Sequence, residues 1–215
     1  MIINILAGGP EDLLPDLTGY ESEEAIWVGV DRGVFHLINR NIIPAMAFGD
    51  FDSVNEEELS VIESRVDGIK KYRPEKDETD MELALNWALE QKPNRIHLFG
   101  ATGGRLDHLL ANVQLLLNPI KTKNPADVYL IDKKNMIFLK EAGFYTIEKM
   151  ASKKYVSFVP LTLDITDLTL KGFKFPLKNR HISLGSTLCI SNELIGDYGT
   201  FSFSKGILIV VRSND

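Results

Sequence analysis

The chain has 215 residues, a length that fits one large domain or two small ones, and its 44% hydrophobic and 25% charged residues are ordinary for a globular protein. A formal net charge of -6 leaves no general basic field to recruit nucleic acid or an anionic membrane, so neither partner is expected and a polyanionic ligand needs a cation or a local basic cluster. The single cysteine, Cys189, excludes an intrachain disulfide; no apolar run approaches the ~18 to 20 residues of a membrane helix, the first residues lack a signal peptide's basic region, and a cytoplasmic protein is expected.

The first part of the chain alternates short apolar runs with helical patterns. Residues 2–7 read as a strand ending at Gly8-Gly9-Pro10, and residues 25–30 as a second ending at Asp31-Arg32-Gly33. A helical pattern covers 33–40. A third strand over 45–48 runs into Gly49-Asp50-Phe51-Asp52-Ser53. A Glu-rich helix follows over about 55–64, with Ser53 and Glu56 spaced as a capping box for a start near Val54. Residues 69–72 read as a short strand and 73–78 as a polar loop. The helix over 80–91 has Thr79 as its cap, with Glu82 three residues on. A strand over 95–99 ends at Gly100-Ala101-Thr102-Gly103-Gly104, a helix spans about 105–117, and a strand at 127–132 closes the series. Strands alternating with helices predict an α/β fold, a mostly parallel sheet with helices on both faces.

Beyond about residue 135 the pattern changes. Stretches at 136–139, 143–147, 155–160, 168–170, 186–191, 199–203 and 207–212 are short and rich in β-branched or aromatic residues. They predict a C-terminal all-β sandwich or roll. Leu161, Leu163 and Ile165 keep one alternation phase and Leu168 and Leu170 the other, so a bulge or turn is expected near Thr166-Asp167. Two domains follow, 1–134 and 135–215.

Asp50 and Asp52 carry the first chemical signal. In an extended segment they share a face, and two close carboxylates repel unless a cation lies between them. Oxygen ligands suit Mg²⁺, which is often held by one or two carboxylates together with substrate phosphates. The competing reading is a polar turn capped by Ser53. Similar clusters collect where parallel strands end, at Gly8-Gly9, at Asp31 to Gly33, and at Gly100 to Arg105, the sheet edge where ligands bind. The helix dipole accounts for Asp80 but not for Asp77. Lys76 beside it is a phosphate ligand or a solvated charge.

Gly103-Gly104-Arg105-Leu106-Asp107-His108 opens a helix, where glycines and free N–H groups favour anions. Leu106, Leu109, Leu110, Val113, Leu116 and Leu117 form an apolar stripe expected to face the core. Arg105, His108 and Asn112 flank it on one side and Asp107 on the other. Arg105 offers a planar fork to a phosphate, and His108 is a structural hydrogen-bonder or a catalyst. Leu115, off the stripe, is placed to meet another subunit. No Walker A signature, dinucleotide fingerprint or nucleophile elbow is present, and the histidines lack zinc spacing with Cys189.

Together these motifs, with Lys76-Asp77-Glu78-Thr79-Asp80 and with Gly185-Ser186-Thr187 running on to Ser191-Asn192-Glu193, resemble one family, thiamine pyrophosphokinase. The resemblance implies an α/β nucleotide-binding domain followed by a β-sandwich thiamine-binding domain. It implies a homodimer with active sites between subunits, and transfer of pyrophosphate from ATP to thiamine with Mg²⁺, giving thiamine diphosphate and AMP. Carried across, Asp50, Asp52, Asp77 and Asp80 are the catalytic acids, and Asp50, Asp52 and Asp77 hold the metal. Asp31, Arg32, Gly33, Ser53, Lys76, Thr79, Thr102, Gly103, Gly104, Arg105, Asp107 and His108 line the ATP site, and Ser191 and Asn192 contact thiamine. Animal members stack a β-domain tryptophan on thiamine, whereas Trp27 and Trp87 both lie in the α/β part here; Tyr198, Phe201 or Phe203 is left for that place, or the contact is missing. The rivals are another Mg²⁺-dependent nucleotide-using transferase or phosphatase, and a non-catalytic nucleotide-binding regulator.

Overall fold

The structure is a computed structural model that describes residues 1–52, 54–71 and 77–215. Ser53 and Lys76 lie outside the described residues. The chain divides into two compact units, Met1–Lys133 and Lys134–Asp215.

The first unit runs β1 (Ile2–Leu6), β2 (Ala25–Val30), α1 (Arg32–Ile38), β3 (Met46–Gly49), α2 (Glu56–Arg65), β4 (Ile69–Lys71), α3 (Asp80–Glu90), β5 (Arg95–Phe99), α4 (Leu106–Leu115), α5 (Asn118–Lys121) and β6 (Asp127–Ile131). Its strands are all parallel, in the order β6-β5-β1-β2-β3-β4. Ile3, Ile5, Val28, Ile96 and Leu98 are inaccessible to solvent, each contributing about 1.5–3 kcal/mol by burial. Both faces are covered, as β3 makes plain. Ala47 and Phe48 point to opposite sides. Ala47 packs with Val34 and Ile38 of α1 and Ile62 of α2, while the Phe48 ring lies 6.0 Å from that of Trp87 on α3.

Helix α2 starts later than expected. Its cap is Asn55, which accepts the Glu58 N–H at 2.8 Å while the Glu58 carboxylate accepts the Asn55 N–H at 3.2 Å, a complete capping box two residues on from the expected Ser53–Glu56 pair. A turn closed by the Val54 N–H on the Phe51 carbonyl occupies the expected first helical position. Thr79 caps α3 as expected, accepting the Glu82 N–H.

The larger correction concerns α4. Leu106 and Leu110 are 72% and 67% exposed, so the first turns of the apolar stripe do not face the core, although Leu116 at its far end does. The helix is turned so that Asn112, Leu115 and Leu116 are buried, and the Asn112 side-chain amide donates to the Ala101 carbonyl at 2.9 Å. That hydrogen bond holds Asn112 inward, while Arg105 and His108 on the same flank stay exposed at the start of the helix. Leu115, expected against another subunit, is buried within its own chain.

The second unit is built on one long hairpin, β7 (Asn135–Glu148) with β12 (Tyr198–Ser213). The expected pairs 136–139 with 143–147, and 199–203 with 207–212, are each one strand. Register breaks between Phe203 and Ile207. On one side of the break β12 pairs β9 (Asp164–Lys171), which continues to β10 (Leu177–Ser183); on the other it pairs β8 (Tyr155–Pro160), followed by β11 (Asn192–Glu193). Phe201 and the Val210 partner Phe158 would stand roughly 30 Å apart in a flat ribbon. Their ring centroids are 4.9 Å apart, so the two halves fold face to face as a sandwich. Asp167, in the left-handed region at φ 58, marks the expected bulge.

The strand expected at 186–191 is absent. After Gly185 (φ 86) the Ser186 hydroxyl accepts the Leu188 N–H and the Thr187 carbonyl the Ile190 N–H, so the backbone turns. Cys189 is buried while Leu188 and Ile190 are about half exposed. Here β-propensity loses to local turn chemistry.

Candidate active site

In the first unit the chain winds outward from β1 through β2, β3 and β4, then returns to the other side of β1 for β5 and β6. Connections therefore leave β1 and β5 in opposite directions, and the crevice beyond their carboxyl ends is the topological switch point. The Ala7 N–H donates to Phe99 and the Gly9 N–H to Gly100, each at 2.9 Å, tying the two strand ends together. A Cβ on Gly9 would lie 2.3 Å from the Gly100 oxygen, so only glycine fits this approach.

A cleft of about 630 Å³ opens over the crevice. It is bordered by Gly8 and Gly9, by Asp31, Asp50 and Asp52, by Asp77, Glu78, Thr79 and Asp80, and by Thr102, Gly103, Gly104, Arg105 and His108. The ends of strands β2 and β3 and the approach to helix α3 thus bring six acidic residues to one cavity. A larger cavity of about 690 Å³ in the C-terminal unit, bordered by Thr146, Glu148, Lys149, Ala151, Asp197 and Tyr198, has neither glycine turns nor a helix start. The smaller cleft is the one equipped for an anion.

Gly103 and Gly104 both take left-handed φ, 76° and 68°, before α4 begins. Arg105 stands at its N-cap and meets Asp107 through two hydrogen bonds, Nη2 to Oδ2 at 2.6 Å and Nε to Oδ1 at 3.1 Å. Those bonds, with the His108 N–H, hold the Asp107 carboxyl down at about 2. The pair is exposed, so it orients the guanidinium without adding measurably to stability.

The acids are less comfortable. Burial, then the charges of Asp80, Asp50 and Asp52, push the Asp31 carboxyl up to about 7, while the Phe51 N–H acts in the opposite sense. Asp31 Oδ1 is buried without a hydrogen-bond partner. Asp50 Oδ1 accepts the Asp52 N–H at 3.1 Å, and Phe51 between them is buried in the α1–α2 cluster at φ 60. No group of three acidic, histidine or cysteine side chains among the described residues is arranged to hold a metal by itself. The carboxylates of Asp50, Asp52 and Asp77, which border one cleft, nevertheless make an all-oxygen donor set that fits Mg²⁺, which takes its remaining ligands from phosphates and water.

Several residues singled out from the sequence are not brought to the cleft wall. The Arg32 guanidinium pairs with Glu58 at 2.9 Å, at the start of α2. A Cβ on Gly33 would lie 2.1 Å from the Leu6 oxygen, so this glycine lets α1 approach β1. Asp107 reaches the site through Arg105. Ser191 and Asn192 lie in the C-terminal unit. Asn192 is 2% exposed, its carbonyl accepting the Phe175 and Glu193 N–H groups and its amide donating to Phe175. Two residues singled out in the sequence have roles that it did not give. Asp31 is the most perturbed acid, and Asn112 secures the loop after β5. The signal for Asp31 was its place at the end of β2, but strand neighbours are needed to set it beside Gly49.

An open α/β sheet with glycine turns and acids at its switch point is the layout of a phosphate-handling nucleotide protein. The family model described as "Thiamin pyrophosphokinase, catalytic domain" matches residues 17–130, and "Thiamin pyrophosphokinase, vitamin B1 binding domain" matches residues 145–208. Thiamine pyrophosphokinase of Bacillus subtilis (strain 168) is 56% identical over 213 residues, 99% of each chain. The crystal structure of thiamine pyrophosphokinase from Bacillus subtilis superposes with a TM-score of 0.95 at 55% identity, covering 100% of both chains. That of the Geobacillus thermodenitrificans protein superposes with a TM-score of 0.92 at 49% identity, covering 100% of this chain and 98% of that one. The chain belongs to the thiamin pyrophosphokinase family.

Proposed function

We propose that the protein transfers a pyrophosphoryl group from ATP to the hydroxyethyl oxygen of thiamine, giving thiamine diphosphate and AMP in the cytoplasm. The observation that carries this reading is the convergence of Asp31, Asp50, Asp52, Asp77 and Asp80 with the Gly103-Gly104-Arg105 turn on one cleft, in a chain of this family. The N-terminal unit holds ATP. Thr102 to Arg105 and the start of α4 take its phosphates, with Asp107 orienting Arg105 and His108 beside them; Asp31 and Thr79 border the cleft, Arg32 and Gly33 support it from α1, and Ser53 and Lys76 complete the set.

Asp50, Asp52 and Asp77 would hold Mg²⁺, with Asp80 close by. The bound ion supplies neutralisation of phosphate charge. The protein's own share is mostly positioning: the alcohol must lie in line with the bond between the β-phosphorus and the departing AMP. One of the four acids accepts the hydroxyl proton. The C-terminal unit holds thiamine, Ser191 by contact and Asn192 through the segment that it ties to Phe175. Of the three rings proposed to stack on thiamine, Phe201 and Phe203 are buried in the sandwich core and Tyr198 is 64% exposed, which favours Tyr198. A second copy of the chain completes each active site.

Replacing Asp50, Asp52, Asp77 and Asp80 singly by Asn tests the division of labour. Loss of about a hundredfold or more in kcat is expected at the metal-holding positions, and one variant should lose the limb of the pH profile that reports the base. Four unchanged pH profiles would rule out a side-chain base among them.

A further inference from the structure

Three backbone irregularities meet beside the acids. Asp31 leaves β2 at φ 49, Gly49 leaves β3 at φ 151 and Phe51 follows at φ 60. Two of the three are not glycine, and such conformations persist only where the surroundings enforce them. Parallel pairing of Val30 with Phe48 sets the next residues, Asp31 and Gly49, side by side, and the Asp31 N–H donates to the Phe48 carbonyl at 2.9 Å. A Cβ on Gly49 would stand 2.1 Å from Asp31 Oδ1, so the carboxylate occupies the space that a side chain at position 49 would need. The Phe51 N–H acts on the same carboxylate. Asp31 therefore touches the chain on both sides of Asp50, while Phe51 is anchored in the core between Asp50 and Asp52.

We propose that Asp31 is a positioning residue: wedged against Gly49, its carboxylate sets the turn that aims Asp50 and Asp52 at a common ligand. The inference rests on the reading of those two acids given above, and it assigns Asp31 a task distinct from contact with the nucleotide. The contact is one of shape. Asparagine is isosteric with aspartate and keeps an acceptor for the Phe51 N–H, whereas alanine leaves the turn unsupported. A β-carbon at position 49 would push the carboxylate away.

The test compares Asp31→Asn, Asp31→Ala and Gly49→Ala in the full chain, following kcat, the KM of each substrate, and Mn²⁺ affinity by electron paramagnetic resonance. Asp31→Ala is expected to lose about a hundredfold in kcat and about tenfold in Mn²⁺ affinity, with the KM for ATP changed less than about threefold, because misplacement by an ångström is enough. Asp31→Asn should stay within about fivefold of the parent on every readout, since it preserves the geometry. Gly49→Ala should match Asp31→Ala, and the double variant should be no worse than either, because both act on one contact. If Asp31→Ala does not fold, Asp31→Asn against Gly49→Ala carries the same comparison. Asp31→Asn as damaged as Asp31→Ala would overturn the proposal, since the residue would then act through its charge. A parent protein that binds Mn²⁺ but shows no thiamine-dependent turnover would sink the proposed reaction, and Mn²⁺ affinity across the variants would still decide the role of Asp31.

Discussion

His97 is 7% exposed in the middle of β5, with its Nδ1 2.8 Å from Asn4 Oδ1. The Asn4 amide nitrogen donates to the Tyr20 carbonyl, which leaves the Asn4 oxygen as an acceptor and puts the ring proton on Nδ1. Burial first, and the Arg95 charge second, lower the His97 pKa to about 4. The unfolded chain therefore takes up a proton as pH falls through its ordinary value of 6.5, and the folded chain does not until about 4. Stability from this residue is complete above that window and is lost on the way down, by about 2 kcal/mol at about pH 5. His97→Gln should show a fall in urea-unfolding free energy between about pH 7.5 and 5 that is smaller by about that amount. Equal slopes for parent and variant would show that the buried imidazole does not set this part of the acid response.

At the scale of elements, what could be read from the sequence was where strands end. The motifs after β1, β2, β3 and β5 all lie at one sheet edge because parallel strands present their carboxyl ends together, and Gly8-Gly9, Asp50, Asp52 and Gly103-Gly104 border the cleft. Which face of α4 is buried could not be read. Its stripe of leucines has a clean helical period, yet Leu106 and Leu110 are exposed while the Asn112 amide, bonded to the Ala101 carbonyl, is buried. Strand β10 was missed for a related reason: it runs Leu-Lys-Asn-Arg-His-Ile-Ser at a sheet edge, where only one face needs apolar residues. The displaced stripe has a consequence. Leu106 and Leu110 stand exposed next to Arg105, and the homodimer proposed above would cover them. The parent chain should sediment as a dimer, and the double variant Leu106→Asp/Leu110→Asp as a monomer with a melting temperature within about 4 °C of the parent. A dimer that survives both substitutions would place the interface elsewhere.

At the scale of the molecule, the change from helical to alternating patterns near residue 135 was plain in the sequence, because helices and strands bury their apolar residues with different periods. The order of strands within each unit was not, since neighbours such as β1 and β5 are joined by register and not by sequence distance. That order is what sets Asp31 against Gly49 and gathers acids from β2, β3 and α3 around the glycine turn after β5. The central claim is that this gathering moves two phosphates as one group. The direct measurement is incubation of the full chain with Mg²⁺, thiamine and ATP labelled in its β-phosphate, followed by separation of the products. The account expects AMP and thiamine diphosphate in equal amounts, with the label in the thiamine product. ADP as the nucleotide product, or AMP formed without thiamine, would contradict it.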